Sequence, residues 1–265
     1  MKIPLPTENM LAETDGPIGW MTFNKPARRN AVSLDMWQAI PGILDRFEQD
    51  PAIRVIVLKG AGDQAFVSGA DISQFEAARS SAEANASYEA AIDTASERLI
   101  GCPKPTIAMI RGFCIGGGLA IAVGCDIRIA TEASRFGIPA ARLGLGYGAA
   151  GVKKLMELVG PSFTKEIFFT ARHFSAAEAS AMGLVNRVVP GDSLEAYTQQ
   201  YCETISNNAP MTLLALKRTV AELVRGEQAD LEACERLVTA CFDSEDYVEG
   251  RRAFLEKRVP VFRGV

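Results

Sequence analysis

Short apolar runs rich in β-branched residues alternate with helical stretches through the first 190 residues, and this alternation restricts the fold more than any other feature of the chain. Strands are predicted at residues 18–23, 55–58, 106–110 and 127–130, with 185–189 as a fifth candidate. Strands that are separated by helices pair in parallel, with the helices packed over the sheet. The sequence therefore predicts an α/β fold.

Two of the helices predicted within this region lie before residue 100. Ser33 is a suitable N-cap for the first of them. Its apolar side consists of Leu34, Trp37, Ile40, Leu44 and Phe47. Pro41 falls inside the pattern, and because proline lacks an N–H, we expect a kink or a break there. Residues 81–99, rich in Ala, Glu and Ser, predict the second helix.

The pattern changes after Pro190, which separates a predicted core at 1–190 from a predicted helical region at 191–265. Helices are predicted there at residues 194–206, 211–225, 231–242 and 244–257. An apolar stripe on the second of these helices consists of Leu213, Leu216, Val220, Leu223 and Val224. A stripe this broad must cover either the core or another subunit.

Composition excludes several classes of partner. The net charge is −4, with 48% hydrophobic and 23% charged residues, which gives no general attraction to nucleic acid or to anionic membranes. Residues 1–9 lack the basic start and apolar run of a secretory signal. No apolar run approaches the ~18 residues that span a bilayer. We expect a cytoplasmic protein without nucleic-acid or membrane partners.

The cysteines and the single histidine narrow the chemistry further. The six cysteines show neither CxxC nor zinc spacing, so we expect reduced core thiols and no metal site. A Ser-His-Asp triad or a histidine-rich metal site would have to use His173. This residue follows one predicted helix and precedes another that starts at Ser175. We therefore interpret it as a loop histidine.

Two glycine-containing segments, 66–72 and 111–120, each follow a predicted strand. The second contains Gly116, Gly117 and Gly118 between a strand and an apolar helical run. Such glycines let a ligand approach the backbone, and a helix that starts there points free N–H groups at developing negative charge. A tight strand-to-helix turn is the alternative interpretation. Neither segment has the pattern of a P-loop or a dinucleotide fingerprint.

These segments and others resemble the enoyl-CoA hydratase/isomerase (crotonase) superfamily in order and spacing along nearly the whole chain. The matching segments are residues 22–31, 69–72, 104–108, 116–118, 125–130, 136–139, 181–186 and 254–258. The resemblance implies a spiral of ββα turns, followed by a helical C-terminal region that drives trimerisation. Homotrimers, or homohexamers made of two trimers, are implied in the same way.

The resemblance also implies roles for individual residues. The N–H groups of Ala70 and Gly117 would form an oxyanion hole for the thioester carbonyl of an acyl-CoA. The coenzyme A groove would be lined by Lys25, Ala27, Arg29, Ser68, Ala70 and Ile72. Lys257 or Arg258 could reach the phosphates of a ligand in a neighbouring subunit. No cofactor is implied beyond the coenzyme A moiety of the substrate.

The chain departs from the family pattern where hydratases carry two catalytic glutamates. The matching residues are Ala120 and Ala140, and a methyl group cannot transfer a proton. The nearby Glu132 and Glu157 are expected to lie on the surface. Efficient hydration is therefore not expected. Decarboxylation of a malonyl-type thioester remains compatible with such a site, because loss of CO₂ generates the enolate without a base.

Tyr147 is the candidate group for orienting the acyl carboxylate, with packing in the core as the alternative. The stretch around it is similar to the methylmalonyl-CoA decarboxylase branch, although that branch has a histidine where this chain has Ala70. Arg142 is a second candidate or a surface residue, and Asp71 is expected to hold its own loop. Phe75 and Phe136 are candidates for the acyl pocket wall or for the core.

Two other functions stay open at this point. The chain could be an acyl-CoA-binding protein or a catalytically silent homologue. It could also be an enoyl-CoA isomerase that uses a base not located in the sequence.

Overall fold

The computed structural model describes residues 1–71 and 82–265. The strands are β1 (Lys2–Ile3), β2 (Met10–Asp15), β3 (Ile18–Phe23), β4 (Val55–Gly60), β5 (Ala65–Val67), β6 (Thr106–Ile110), β7 (Phe113–Ile115), β8 (Ile127–Thr131), β9 (Arg135–Gly137), β10 (Phe174–Ser175) and β11 (Arg187–Val189). The helices are α1 (Leu34–Gln49), α2 (Ala82–Ile100), α3 (Gly117–Gly124), α4 (Ala140–Leu143), α5 (Ala149–Thr170), α6 (Ala176–Ala181), α7 (Leu194–Ser206), α8 (Pro210–Val224), α9 (Leu231–Phe242) and α10 (Glu245–Glu256).

The strands form two sheets. The larger has seven strands in the order β1-β2-β3-β4-β6-β8-β11, parallel from β3 onward. The smaller has four strands in the order β10-β9-β7-β5, in which β5, β7 and β9 are parallel. The prediction of an α/β fold with parallel pairing is confirmed.

Pairs of strands repeat along the chain and connect the two sheets. In the pairs β4–β5, β6–β7 and β8–β9, the first strand enters the larger sheet and the second enters the smaller sheet. A helix follows each pair: α2, α3 and α4, respectively. This is the spiral of ββα turns that the resemblance implies.

The side chains of β4 show how the larger sheet is buried on both faces. Ile56 and Leu58 contribute to the main core beneath α1, whereas Val55 and Val57 point to the opposite face. On that opposite face they pack with Leu194 of α7 and its neighbours. A strand buried on both faces reads as a continuous apolar run, which is why the sequence pattern here does not alternate. The division at residue 190 stays a prediction.

Helix α1 is continuous through Pro41, so the break considered at that residue does not occur. A proline inside a helix costs about 3 kcal/mol. The buried side of α1 includes Met36, Trp37, Ile40, Ile43, Leu44 and Phe47. Each large apolar side chain contributes about 1.5–3 kcal/mol on burial, so packing outweighs the cost of the proline.

A buried arginine fixes helix α3 against strand β8. Arg128 is 3% exposed and donates hydrogen bonds to the carbonyl oxygens of Ala122, Cys125 and Leu184. Burial lowers the pKa of Arg128, and the carbonyls at the C-terminal end of α3 compensate its charge. The opposite end of this short helix, at Gly117, is therefore held in a defined place.

The cysteines and the histidine lie as predicted. All six cysteines are free thiols, and five of them are buried. Burial raises the pKa of Cys102 to about 11 and that of Cys125 and Cys202 to about 12, so these thiols stay protonated near neutral pH. His173 is exposed in the segment between α5 and β10. No helix in the described part of the chain is long and apolar enough to span a bilayer.

The C-terminal helices end within one residue of their predicted limits. The apolar stripe on α8 is mostly exposed, with exposures of 61% for Leu216, 53% for Val220 and 61% for Leu223. Of the two roles considered for this stripe, covering the core of its own chain is therefore wrong.

Candidate active site

The orientation of the Ala70 N–H follows from the hydrogen bonds of its neighbours. The Val32 N–H donates to the Gly69 carbonyl at 2.8 Å, and the Asp71 N–H donates to the Val32 carbonyl at 2.9 Å. Gly69 C=O and Ala70 N–H belong to one trans peptide unit, in which the two groups point in opposite directions. The Ala70 N–H therefore points away from Val32.

The glycine loop before α3 lies next to this peptide. The Gly116 N–H donates to the Gly137 carbonyl at 2.8 Å, and α3 begins at Gly117. A Cβ on Gly118 would lie 2.2 Å from the Val67 carbonyl oxygen, so only glycine fits there. A Cβ on Gly117 would lie 3.9 Å from the Ala70 nitrogen. The two loops thus meet at Ala70 and Gly117.

Both amides are available to a ligand. Across residues 1–71 and 82–265, neither the Ala70 N–H nor the Gly117 N–H donates a hydrogen bond to another protein group. Gly117 is the first residue of a helix, where N–H groups have no partner within the helix and the dipole is positive. The arrangement can bind an oxyanion.

Residues 25–30, here called the Lys25 segment, form hydrogen bonds to the chain that leads into the loop at Ala70. Asn30 is buried and its side-chain amide donates to the carbonyls of Ala61 and Ala65 at 2.9 and 2.8 Å. The Ser68 N–H donates to the Arg29 carbonyl at 3.1 Å. The sequence pattern indicates no role for Asn30. Its left-handed backbone, with a φ of 56°, suits asparagine, but only the structure reveals the three groups that its side chain joins.

The structure brings together most residues predicted for the coenzyme A groove. Lys25 forms an ion pair with Asp71 at 2.6 Å, and the guanidinium of Arg29 lies 5.2 Å from the ring centroid of Phe113. Ala27 is exposed and Ser68 is half-buried beside them. Ile72 and Phe75 lie outside the described residues.

Lys257 is the one predicted groove residue in the C-terminal helical region. It is exposed at the end of α10, where its N–H donates to the Phe254 carbonyl. Its predicted contact with a ligand in a neighbouring subunit stays a prediction.

The two alanines occupy different environments. Ala120 is exposed on the first turn of α3, whereas Ala140 is 4% exposed at the start of α4. Glu132 and Glu157 are exposed, as predicted, and Glu157 forms ion pairs with Lys153 and Lys154. These glutamates therefore lie on the surface.

Tyr147 is half-buried, with a packed ring and a polar hydroxyl group. Its ring contacts Phe168 edge to face, with centroids 5.0 Å apart. Burial raises the pKa of the phenol, and its hydroxyl makes no hydrogen bond within the described part of the chain. Arg142 is exposed, and Phe136 is a core residue of β9.

Known proteins match this chain over almost its full length. The family model for enoyl-CoA hydratase/isomerase matches residues 13–265. A short-chain-enoyl-CoA hydratase of Clostridium acetobutylicum is 34% identical, covering 94% of this chain and 95% of the relative. A crotonyl-CoA hydratase of Syntrophomonas wolfei is also 34% identical, covering 95% and 96%.

Solved structures agree with these sequence matches. The crystal structure of an enoyl-CoA hydratase/carnithine racemase from Magnetospirillum magneticum superposes with a TM-score of 0.92 at 34% identity, covering 98% of this chain and 97% of that chain. The superfamily resemblance is confirmed, while the likeness to the decarboxylase branch stays a prediction. The chain belongs to the enoyl-CoA hydratase/isomerase family.

Proposed function

We propose that this protein binds an acyl-CoA thioester and stabilises its enolate between the N–H groups of Ala70 and Gly117. The proximity of these two amides carries the proposal, since neither donates a hydrogen bond within residues 1–71 and 82–265 and Gly117 begins a helix. Donors that are fixed in advance need no reorganisation as charge develops on the thioester oxygen. Membership of the family supports an acyl-CoA substrate.

The reaction that fits best is decarboxylation of a malonyl-type acyl-CoA. The bond between the carboxylate carbon and the α-carbon breaks, its electron pair forms the enolate, CO₂ leaves, and a proton then adds to the α-carbon. This route needs no base, in keeping with alanine at positions 120 and 140. The named relatives are hydratases, but addition of water requires acid–base groups that these two positions lack.

Tyr147 is proposed to orient the carboxylate that is lost. Its hydroxyl has no partner in the described residues, and the raised pKa keeps the phenol protonated as a hydrogen-bond donor. The ring packing against Phe168 would hold the donor in place.

Incubation with malonyl-CoA and methylmalonyl-CoA tests the reaction. We expect release of CO₂ from at least one of them and slow hydration of crotonyl-CoA. Tyr147→Phe, which removes only the hydroxyl, is expected to reduce CO₂ release, whereas Tyr197→Phe on α7 is the matched control. Rapid hydration of crotonyl-CoA by the unaltered protein would contradict the proposal.

The missing carboxylates also favour a second candidate, an acyl-CoA-binding protein without catalytic activity. It predicts affinity for coenzyme A with no turnover of any thioester. Exchange of the α-hydrogens of a saturated acyl-CoA with deuterated solvent would instead reveal a base, as an isomerase requires.

A homotrimer, alone or paired as a hexamer, is proposed from the exposed apolar surface. The stripe on α8 adjoins an apolar cleft of about 860 Å³ between α8, α9 and α10. Phe254 and Leu255 beside it are 84% and 80% exposed. A single chain rarely leaves so much apolar surface in water, and a second copy is the proposed occupant.

Light scattering checks the assembly. We expect a mass of three or six times 28.5 kDa and a lower mass for Leu216→Lys and Leu223→Lys. Gln200→Lys, an exposed change on α7, adds the same charge and should leave the mass unchanged. A monomeric unaltered protein would refute the trimer.

A further inference from the structure

An ion pair lies directly beside the proposed oxyanion hole. Lys25 Nζ is 2.6 Å from Asp71 Oδ2, and Asp71 is the residue that follows Ala70. The Asp71 side chain is only 7% exposed and that of Lys25 is 23% exposed. Solvent therefore screens these charges weakly.

A carboxylate at this position opposes the proposed chemistry. An enolate oxygen that forms at the Ala70 N–H would be repelled by a negative charge on the next residue. Removing Lys25 would take a compensating positive charge away from this mostly buried carboxylate. The ammonium of Lys25 supplies the compensating charge here.

The location of Lys25 is fixed by its own segment. Its N–H donates to the Asn30 side chain at 3.0 Å, and Asn30 is anchored to Ala61 and Ala65. The backbone of Lys25 is thus anchored by a buried framework, and its ammonium contacts the carboxylate of the residue that follows Ala70.

We propose that Lys25 is a positioning residue that neutralises Asp71, so that the adjacent oxyanion hole can accept negative charge. This inference rests on the proposed function. It assigns Lys25 to the thioester end of the site, whereas the family resemblance implies only that Lys25 lines the coenzyme A groove.

The test uses butyryl-CoA labelled with ¹³C at the thioester carbonyl, because this saturated ligand reports polarisation without turnover. Hydrogen bonding in the hole is expected to lower the carbonyl stretching frequency in the unaltered protein. Lys25→Met should lose most of this shift, and Lys25→Arg should retain it. The double variant Lys25→Met with Asp71→Asn should recover the shift, because both charges are then absent.

Two further measurements separate the proposal from simpler roles. In whichever acyl-CoA reaction the unaltered protein catalyses, Lys25→Met is expected to lower kcat about 10- to 100-fold, with recovery in the double variant. Affinity for free coenzyme A, measured by calorimetry, should change little. Lys59→Met, a lysine-to-methionine change on β4, is the matched control.

Different results would contradict the oxyanion hole and the role of Lys25. If the unaltered protein does not shift the carbonyl frequency, the proposed oxyanion hole is wrong. If the shift is present and survives Lys25→Met, or if the double variant loses it as fully as the single variant, the neutralising role is wrong. Weak binding of free coenzyme A by Lys25→Met would make Lys25 a phosphate ligand and also overturn the inference.

Discussion

Carrying both Ala120→Glu and Ala140→Glu, the protein is expected to hydrate crotonyl-CoA at least ~10²-fold faster than the unaltered chain, because each acid–base group contributes ~10²–10⁴-fold. Ala120 is exposed, so a carboxylate there stays hydrated. Ala140 begins a helix, where negative charge is favoured, although the site is 4% exposed. Loss of the crotonyl absorbance measures the rate.

Single variants and a distant control complete this experiment. Each single glutamate should give less than the pair, because hydration needs one group to activate water and another to protonate the α-carbon. Ala90→Glu adds the same side chain at an exposed position of α2, which is a different helix from those of Ala120 and Ala140. This control should give no hydration. A folded double variant with no gain would show that these positions do not face the substrate.

Substitution of Gly117 by alanine keeps the backbone N–H but is expected to keep the thioester oxygen away from it. Turnover should fall by about 10²–10³-fold, the loss that follows removal of an oxyanion donor. The added methyl would lie 3.9 Å from the Ala70 nitrogen and 3.5 Å from Trp37, which are ordinary contact distances. The variant should therefore fold, while the methyl occupies the space that the thioester oxygen needs. Steady-state kinetics measure the loss of turnover, and a thermal melt checks that the variant folds.

Gly42→Ala is the matched control for this loss. Gly42 lies in α1 and a Cβ there would meet nothing within 4 Å, so the change should preserve activity and add about 0.5–1 kcal/mol of stability. Full activity in Gly117→Ala would place the reacting oxygen elsewhere.

Much of the fold could be predicted because the signals are local. The strands at 18–23 and 106–110 were predicted with the limits that the structure shows. Pro41 was less informative, since the cost of one missing hydrogen bond competes with packing that the sequence does not display. The stripe on α8 was recognised, but its exposure depends on which surfaces the rest of the chain already covers.

Some features of the candidate site could likewise be predicted from the sequence, and others could not. Residue types pointed to the glycines, whereas the two alanines at positions 120 and 140 were singled out by the family resemblance, which implies glutamates there. The pairing of Lys25 with Asp71, 46 residues apart, could not be predicted, since it depends on how Asn30 anchors one loop to another.

The sequence by itself determined five strands of the larger sheet, the C-terminal helices, the glycine-rich backbone before α3 and the alanines at positions 120 and 140. These properties depend on neighbouring residues and on side-chain chemistry. Only the tertiary structure decided the direction of the Ala70 N–H, which Val32 fixes through Gly69, and its approach to Gly117. Both follow from hydrogen bonds between segments far apart along the chain, and no local pattern encodes them.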